Sequence, residues 1–408
     1  MSFTPTRSAA LDRLTAFAPR MGGQYAARRN FDLGAGGHDY VSCLSPYTRH
    51  RMVTERELVE KALEVHGLKA AEKFIDEVFW RTYWKGWLEQ RPKVWCDYQD
   101  SVQAAMGRVE SNTGLRKAFQ EATTGQTGID CFDHWTRELI ETGYLHNHAR
   151  MWFASIWIFT LKLPWALGAD FFLHHLLDGD PASNTLSWRW VAGLQTEGKN
   201  YIARPSNIEK YTNGRFNPAG QLASNPEPLA FTLYQREALP NGDPFPDEFD
   251  LLLLTDDSLY PEGLLPPDAL PKRAIILDTR AARSSTGCSQ RVSKFVGDAM
   301  ADTKARLEAA GCATTIQTPG DVVFQSGTRV IALYAPVGPS ADALADTLRK
   351  AKTVGAQTLC AISDWDQTAW PYAKKGFFVF KKAIPSLIDT AFGSAAAVGG
   401  QMGFSFDG

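Results

Sequence analysis

The sequence has no CxxC pair, no alternating strand pattern in its first half, no phosphate-binding glycine loop and no excess of basic charge. Each absence excludes something. The six cysteines, at 43, 96, 131, 288, 312 and 360, lie far apart; that argues against a zinc or iron–sulfur site and fits free thiols in a reducing cytoplasm. With 43 Lys+Arg against 45 Asp+Glu the formal charge is −2, so no overall field draws the chain to nucleic acid, although a local basic patch would be hidden in such a balance. The N-terminus lacks a basic region followed by an apolar core, so no secretory signal is expected. The longest apolar stretch, around Met151–Leu161, is too short to span a bilayer, and no membrane partner is expected. Gly22-Gly23 and Gly34–Gly37 follow no strand, which argues against a dinucleotide fingerprint, and no metal ligand set is evident.

What is present divides near residue 220. The 408 residues, 44% hydrophobic and 22% charged, are enough for two domains with sizeable cores. All eight histidines and ten of the twelve tryptophans precede that point; only Trp365 and Trp370 follow it. Residues 1–220 read as helices, at Glu55–Val65, Ala70–Gln90, Cys131–Thr142, Asn147–Leu161 and Asp170–Leu177. Residues 221–247, rich in Pro, Asn and Gly, read as a linker. In residues 248–392 the pattern changes to strands at Leu251–Thr255, Ala274–Leu277, Thr314–Gln317, Val330–Tyr334 and Leu359–Ile362. Helical patterns at Val292–Ala310 and Ala341–Lys352 lie between them, which predicts a doubly wound parallel sheet. The expected class is therefore all-helical plus α/β, with a mobile tail at 393–408.

The densest chemistry lies in Asp178-Gly-Asp-Pro-Ala-Ser-Asn-Thr-Leu-Ser-Trp-Arg-Trp190. Asp180 before Pro181 reads as an N-cap with proline at the first helical position. Asp180, Asn184 and Trp188 then fall at i, i+4 and i+8, an acid, an amide and an indole on one stripe suited to a planar ligand with polar edges. Trp190 lies roughly 200° round the helix from Trp188 and faces elsewhere. Glu77, Trp80, Arg81 and Trp84 share a second helix face at i, i+3, i+4 and i+7, and the same pattern also suits a core helix with a surface ion pair. Ser42 and Ser45, before a Pro-Tyr turn, offer hydroxyls and backbone amides to a phosphate near a helix start. Thr255-Asp-Asp-Ser258, just past a strand end, is placed to contact a ligand at the sheet's carboxyl edge.

Four segments occur in one order: Tyr40-Val-Ser-Cys-Leu-Ser-Pro-Tyr47, Glu77-Val-Phe-Trp-Arg81, His146-Asn-His-Ala-Arg-Met151 and Asp178–Trp190. With them, roughly residues 25–215 resemble the FAD-binding domain of the cryptochrome/photolyase family. The resemblance implies an FAD held by Tyr25, Ser42, Leu44, Ser45, Phe74, Glu77, Arg81, Asn147, Arg150, Asp178, Asp180 and Asn184. Arg150 and Asp178 would pair, and Asn184 would face flavin N5. Trp188 and Trp165 match the first two members of the family's electron-transfer chain; the third position is Ala122, leaving Trp152, Trp157 or Trp135 to extend another route. Trp80, Asn147, Met151 and Trp190, with Glu77, match the pocket that holds a pyrimidine dimer, and His148 stands where dimer-repair enzymes commonly carry arginine. Val41 and Cys43 replace a threonine and an arginine in the phosphate loop, for which Arg28 or Arg29 is the available substitute.

The family's usual order places an α/β antenna domain first. Here the α/β pattern comes last, which points to a circular permutation, with a second antenna chromophore as a low-ranked expectation. Two functions fit. The reading placed first is a photoreceptor, photoreduced along tryptophans and signalling to a protein partner. Its alternative is a photolyase, donating an electron from excited reduced FAD to a pyrimidine dimer in damaged DNA.

Overall fold

The computed structural model describes residues 2–227, 229–266 and 269–393; the tail expected from 393 onward lies, beyond Gly393, outside the described residues. The first half is helical: α1 (Arg7–Phe17), α2 (Gly23–Arg28), α3 (Ser45–Arg49), α4 (Glu55–Glu89), α5 (Lys93–Ser111), α6 (Thr113–Thr124), α7 (Asp130–Thr142), α8 (Asn147–Ser155), α9 (Trp165–His175), α10 (Pro181–Val191) and α11 (Pro205–Tyr211). Two expected helices are one. Thr54 and Glu57 form a reciprocal capping box that starts α4, and the helix continues to Glu89 through a kink at Gly67, whose φ of 68° is open to glycine. The helix expected over Asn147–Leu161 is α-helical only to Ser155 and closes with a π-type turn over Ile156–Thr160. The helix expected at Asp170–Leu177 instead begins at Trp165.

Residues 212–250 contain no helix or strand among those described. They run along the helical half, with Glu237 N–H donating to the Gln90 carbonyl and Tyr234 Oη to Asp97. Five parallel strands follow: β1 (Leu251–Thr255), β2 (Arg273–Leu277), β3 (Ala313–Gln317), β4 (Arg329–Leu333) and β5 (Gln357–Ala361), with α12 (Gln290–Ala309) and α13 (Pro339–Thr353) as crossovers. Their spatial order is β3-β2-β1-β4-β5, so the chain reverses direction between β1 and β4. β1 is buried at all five positions, as a central parallel strand must be.

The alternation of β1 divides the packing. Leu251 and Leu253 join Val330, Leu344 and Ala351 on the α13 side. Leu252 and Leu254 belong to a core that continues without a break into the helical half. The described residues end in α14 (Asp364–Ala369), α15 (Phe377–Phe380) and α16 (Ile384–Phe392), which return to α4. Trp365 Nε1 donates to Thr82 Oγ1 at 3.0 Å, and its ring stacks on Phe79 at 5.1 Å. Trp370 packs so closely on Gly86 that a Cβ there would lie 2.6 Å from its Cδ1 and 2.9 Å from its Cα. The two tryptophans beyond the linker thus dock the end of the chain on the long helix.

Candidate functional site

A cavity of about 550 Å³ opens among α2, the loop before α3, α4, α8 and α10. Asp180 caps α10 as its sequence requires, accepting from Ser183 N–H at 2.8 Å. The stripe that follows, Asp180, Asn184 and Trp188, lines the cavity, and Ser183 and Ser187 fill the intervening positions of the same face. Asn184 Nδ2 donates to the Ala169 carbonyl at 2.8 Å, which fixes the amide's orientation. Trp188 is 2% exposed and Trp190 is 36% exposed. Both touch the cavity, so the expectation that Trp190 faces elsewhere is corrected: the void is wide enough to take Trp188 as an inner wall and Trp190 at its rim, where the ring stacks on Tyr201 at 5.4 Å.

From α4 the same cavity receives Phe74, Glu77, Trp80, Arg81 and Trp84. Arg81 Nε reaches Glu55 at 3.0 Å and its Nη2 reaches Asp180 at 3.1 Å, tying the two helix faces together. Burial alone would raise the Asp180 pKa, but the charges of Arg81, Lys85 and Arg49 outweigh it and hold the carboxyl well below the usual carboxylate range. Glu77 is ion-paired with Arg29. Burial nevertheless raises its pKa above the ordinary value, only partly offset by Arg29. Arg29 is therefore the substitute that reaches the cavity; Arg28 is exposed, over the rings of Phe31 and Tyr40. Tyr25 packs edge-on against Phe74 at 5.3 Å.

The remaining wall comes from Ser42, Cys43, Leu44 and Ser45 and from Asn147, His148, Arg150 and Met151. α3 begins at Ser45 but has only five residues, so its dipole is small and the hydroxyls and amides matter more than the helix. Cys43 adopts φ 51°, turning that loop around the cavity. Arg150 Nη2 donates to Asp178 Oδ2 at 2.8 Å. The other carboxylate oxygen, Asp178 Oδ1, is buried without a hydrogen-bond partner, and so is Lys85 Nζ beside Asp180. A cavity with acid, amide, guanidinium, hydroxyl and indole groups on its walls, and an unsatisfied acceptor beside it, fits a large ligand with both aromatic and phosphate parts.

Trp165 is not in this wall. Its ring lies 5.8 Å from Tyr98, with the Arg189 guanidinium 6.0 Å above it. The tryptophan against Trp188 is Trp157, edge to face at 6.2 Å. Trp135 and Trp152 form a separate stacked pair at 5.5 Å. Ala122 is buried in α6, beneath Thr136. Gly168 makes the Trp188–Trp157 approach possible, because a Cβ there would overlap Trp188 Cζ3 and Cη2 and come within 3.0 Å of Trp157 Cε2. Gly168→Ala is expected to destabilise the fold by about 1–3 kcal/mol, read from urea unfolding.

The carboxyl edge of the sheet is filled by protein. Thr255, Asp256, Asp257 and Ser258 are all buried. Arg49 pairs with Asp257 and lies 3.7 Å from Asp256, while His50 Nδ1 meets the Asp256 carbonyl at 2.6 Å. Thr279 and Ser340 hydroxyls donate to Asp256 Oδ1. The ligand contact expected at Thr255–Ser258 is therefore corrected: side chains of the helical half occupy the place where the strand order reverses.

Residues 74–224 match the family described as the FAD binding domain of DNA photolyase. Over those residues the helical half of this chain is similar to the cryptochrome/photolyase family. The deoxyribodipyrimidine photo-lyase of Streptomyces griseus is 37% identical over 171 residues, 42% of this chain and 35% of that protein. A Thermus thermophilus enzyme of the same name is 34% identical over 204 residues, 48% of this chain and 45% of its own. Among solved structures, a bacterial class III photolyase from Agrobacterium tumefaciens aligns with a TM-score of 0.43 and 29% identity over 52% of this chain and 43% of that one. The chain thus spans less than half the length of the curated relatives it matches. The photolyase-type match ends at residue 224, before the sheet begins.

Among the described residues no group of His, Cys, Asp or Glu is arranged for a metal ion, and no helix is long and apolar enough to cross a membrane. Sequence reasoning missed Lys85, Ser183 and Ser187. Lys85 follows Arg81 by four residues and the serines fall between Asp180 and Trp188, so helical spacing alone was signal enough for all three.

Proposed function

We propose that this chain is a light-driven repair flavoprotein that binds FAD in the cavity and acts on pyrimidine dimers in DNA. The observation that carries the reading is that one void takes both sets of residues. Asp180, Asn184, Trp188, Arg150 and Asp178 line it together with Glu77, Trp80, Asn147, His148, Met151 and Trp190. A flavin held by the first set and a flipped pyrimidine dimer held by the second would be in direct contact, which electron transfer between them needs. FAD supplies, when bound, a one-electron donor and acceptor excitable by blue light. The protein's part is then to seat it and to exclude water. Arg81 and Lys85 keep Asp180 ionised for hydrogen bonding, Asn184 presents a fixed amide, and Trp80 and Trp190 offer flat apolar faces to a dimer taken out of the stack.

The relatives named as photo-lyases support repair over the signalling role that the mild acidity, Ala122, His148 and the order of the halves placed first. Trp188 would relay an electron to an oxidised flavin, and an added reductant would replace the electron it loses. The family's pattern continues through Trp165, whereas the ring in contact with Trp188 is Trp157, and we assign the next step to Trp157. The order of the halves is read as a permutation, with residues 212–250 joining them. The α/β half is read as a brace for the acidic turn at Gly179-Asp180, because Arg49 and His50 occupy the edge where a second chromophore would otherwise bind.

The decisive experiment illuminates the protein with dimer-containing single-stranded DNA and a reductant and counts repaired dimers. Turnover is expected; a flavin that photoreduces while dimers persist would return the protein to signalling. Trp188→Phe is expected to slow photoreduction about tenfold or more, about 1.4 kcal/mol in barrier, while leaving FAD bound. Trp157→Phe is expected to slow it more than Trp165→Phe, followed by flavin absorbance under blue light.

A further inference from the structure

The segment Tyr372-Ala-Lys-Lys-Gly-Phe-Phe-Val-Phe-Lys-Lys382 alternates in an unusual way. Phe377 and Phe380 are buried, but Phe378 is 79% exposed, Val379 52% and Tyr372 46%. The backbone between them is held firmly. Tyr83 Oη donates to the Lys375 carbonyl at 2.8 Å, Arg91 Nη2 to the Lys374 carbonyl at 3.0 Å, and Lys381 Nζ to Asp76 and Glu72 at 2.6 and 2.7 Å. Phe378 is thus presented outward by an anchored turn, and the core has no place for it. Lys374, Lys375 and Lys382 are exposed, with no carboxylate partner among the described residues.

The position of this turn decides what it fits. Phe377 lies flat on Trp80, ring centres 3.7 Å apart and planes 11° from parallel. Trp80 is itself part of the cavity wall, so Phe377 backs that wall, and the exposed Phe378 and the lysines belong to the same anchored turn. An apolar side chain flanked by unpaired cations selects a polyanion that also offers flat apolar surface. DNA offers both, phosphates to the lysines and an unstacked base step to the ring, and apolar wedges of this kind enter opened steps.

We propose that Tyr372–Lys382 grips the DNA beside the cavity, Lys374, Lys375 and Lys382 neutralising phosphates and Phe378 filling the gap that a flipped dimer leaves in the stack. This rests on the repair reading above. It also offers a chain of net charge −2 a local hold on DNA, through three exposed lysines within nine residues.

The test is fluorescence anisotropy with a labelled duplex carrying a thymine dimer, the same duplex undamaged, and phosphatidylserine vesicles as a competing polyanion. The triple variant Lys374→Glu, Lys375→Glu, Lys382→Glu is expected to weaken both duplexes about tenfold or more and to flatten the salt dependence by about 3 in log–log slope, near 0.9 for each phosphate left without its lysine. Phe378→Ala is expected to weaken the dimer duplex more than the undamaged one, reducing their affinity ratio about tenfold. Unchanged binding by both variants, with the parent still preferring the dimer, would overturn the segment's role and leave repair standing. A parent with no preference for the dimer would overturn the repair reading, and this proposal with it. Loss of vesicle binding with DNA binding intact would also overturn it, and assign the patch to an anionic membrane surface.

Discussion

Unfolding in urea at pH 5 is expected to reveal a stability roughly 6 kcal/mol below that at pH 7, because four histidines are buried neutral and the Glu89 carboxyl, raised by burial to about 7, offsets about one of them. Burial, reinforced by His148 and His38, holds His146 down to about 3, with its Nδ1 accepting from the His148 backbone and its Nε2 against the Arg29 carbonyl. Burial, and then Arg29, lowers His148 to about 4; burial, and then His174, lowers His175 to about 4. His50, enclosed beside Arg49, is depressed for the same first reason. The sign follows from proton counting. Released by unfolding, each ring titrates near 6.5, so between that pH and its folded value the unfolded chain binds more protons than the folded one. Stability is therefore complete above pH 6.5 and is lost as the pH falls toward 4, each ring contributing about 2 kcal/mol by pH 5. A denaturation midpoint that is flat between pH 7 and 5 would show that these rings are not held neutral.

This acid sensitivity is written in tertiary placement, which shows what the sequence could and could not reveal. Eight histidines confined to the first half were plain, but their burial was not. Local rules placed the Asp180-Pro181 cap, the stripe through Asn184 and Trp188, and strand cores to within one or two residues, because each depends on neighbours a few positions away. The expected helices stop at Val65 and resume at Ala70; the left-handed conformation of Gly67 between them lets one helix bend and continue. Trp157 was one of several indoles until Gly168 brought Trp188 onto it. The partners of Thr255–Ser258 were least legible of all. They come from Arg49 and His50, more than two hundred positions earlier, and no periodicity carries information over that distance.

Those distant partners underlie the remaining large effect: Arg49→Met is expected to destabilise the protein by about 3–5 kcal/mol, since it strands buried carboxylates. Arg49 is 3% exposed. Its Nε donates to the Gly179 carbonyl at 3.0 Å, its Nη1 pairs with Asp257, and its Nη2 lies 3.7 Å from Asp256. One guanidinium therefore joins the acidic turn that opens α10 to the end of β1. Lys85, 4.0 Å from Asp257, is too far away to replace it, and its own pKa is lowered, by burial first. Methionine keeps most of the volume, so the loss reports charge and hydrogen bonding rather than a void. Adding Asp257→Asn to Arg49→Met is expected to recover part of the stability, because it removes a charge that the first change left unpaired. The loss should also extend to the cavity. With Arg49 gone, Asp180 keeps Arg81 and Lys85 but loses a cation that helps hold it ionised, and the Gly179 carbonyl keeps only Arg283, at 3.1 Å, of its two guanidinium donors. Weaker FAD retention on gel filtration should therefore accompany the lower unfolding midpoint. A variant that loses less than about 1 kcal/mol would mean that the sheet is only attached to the flavin half and does not brace it.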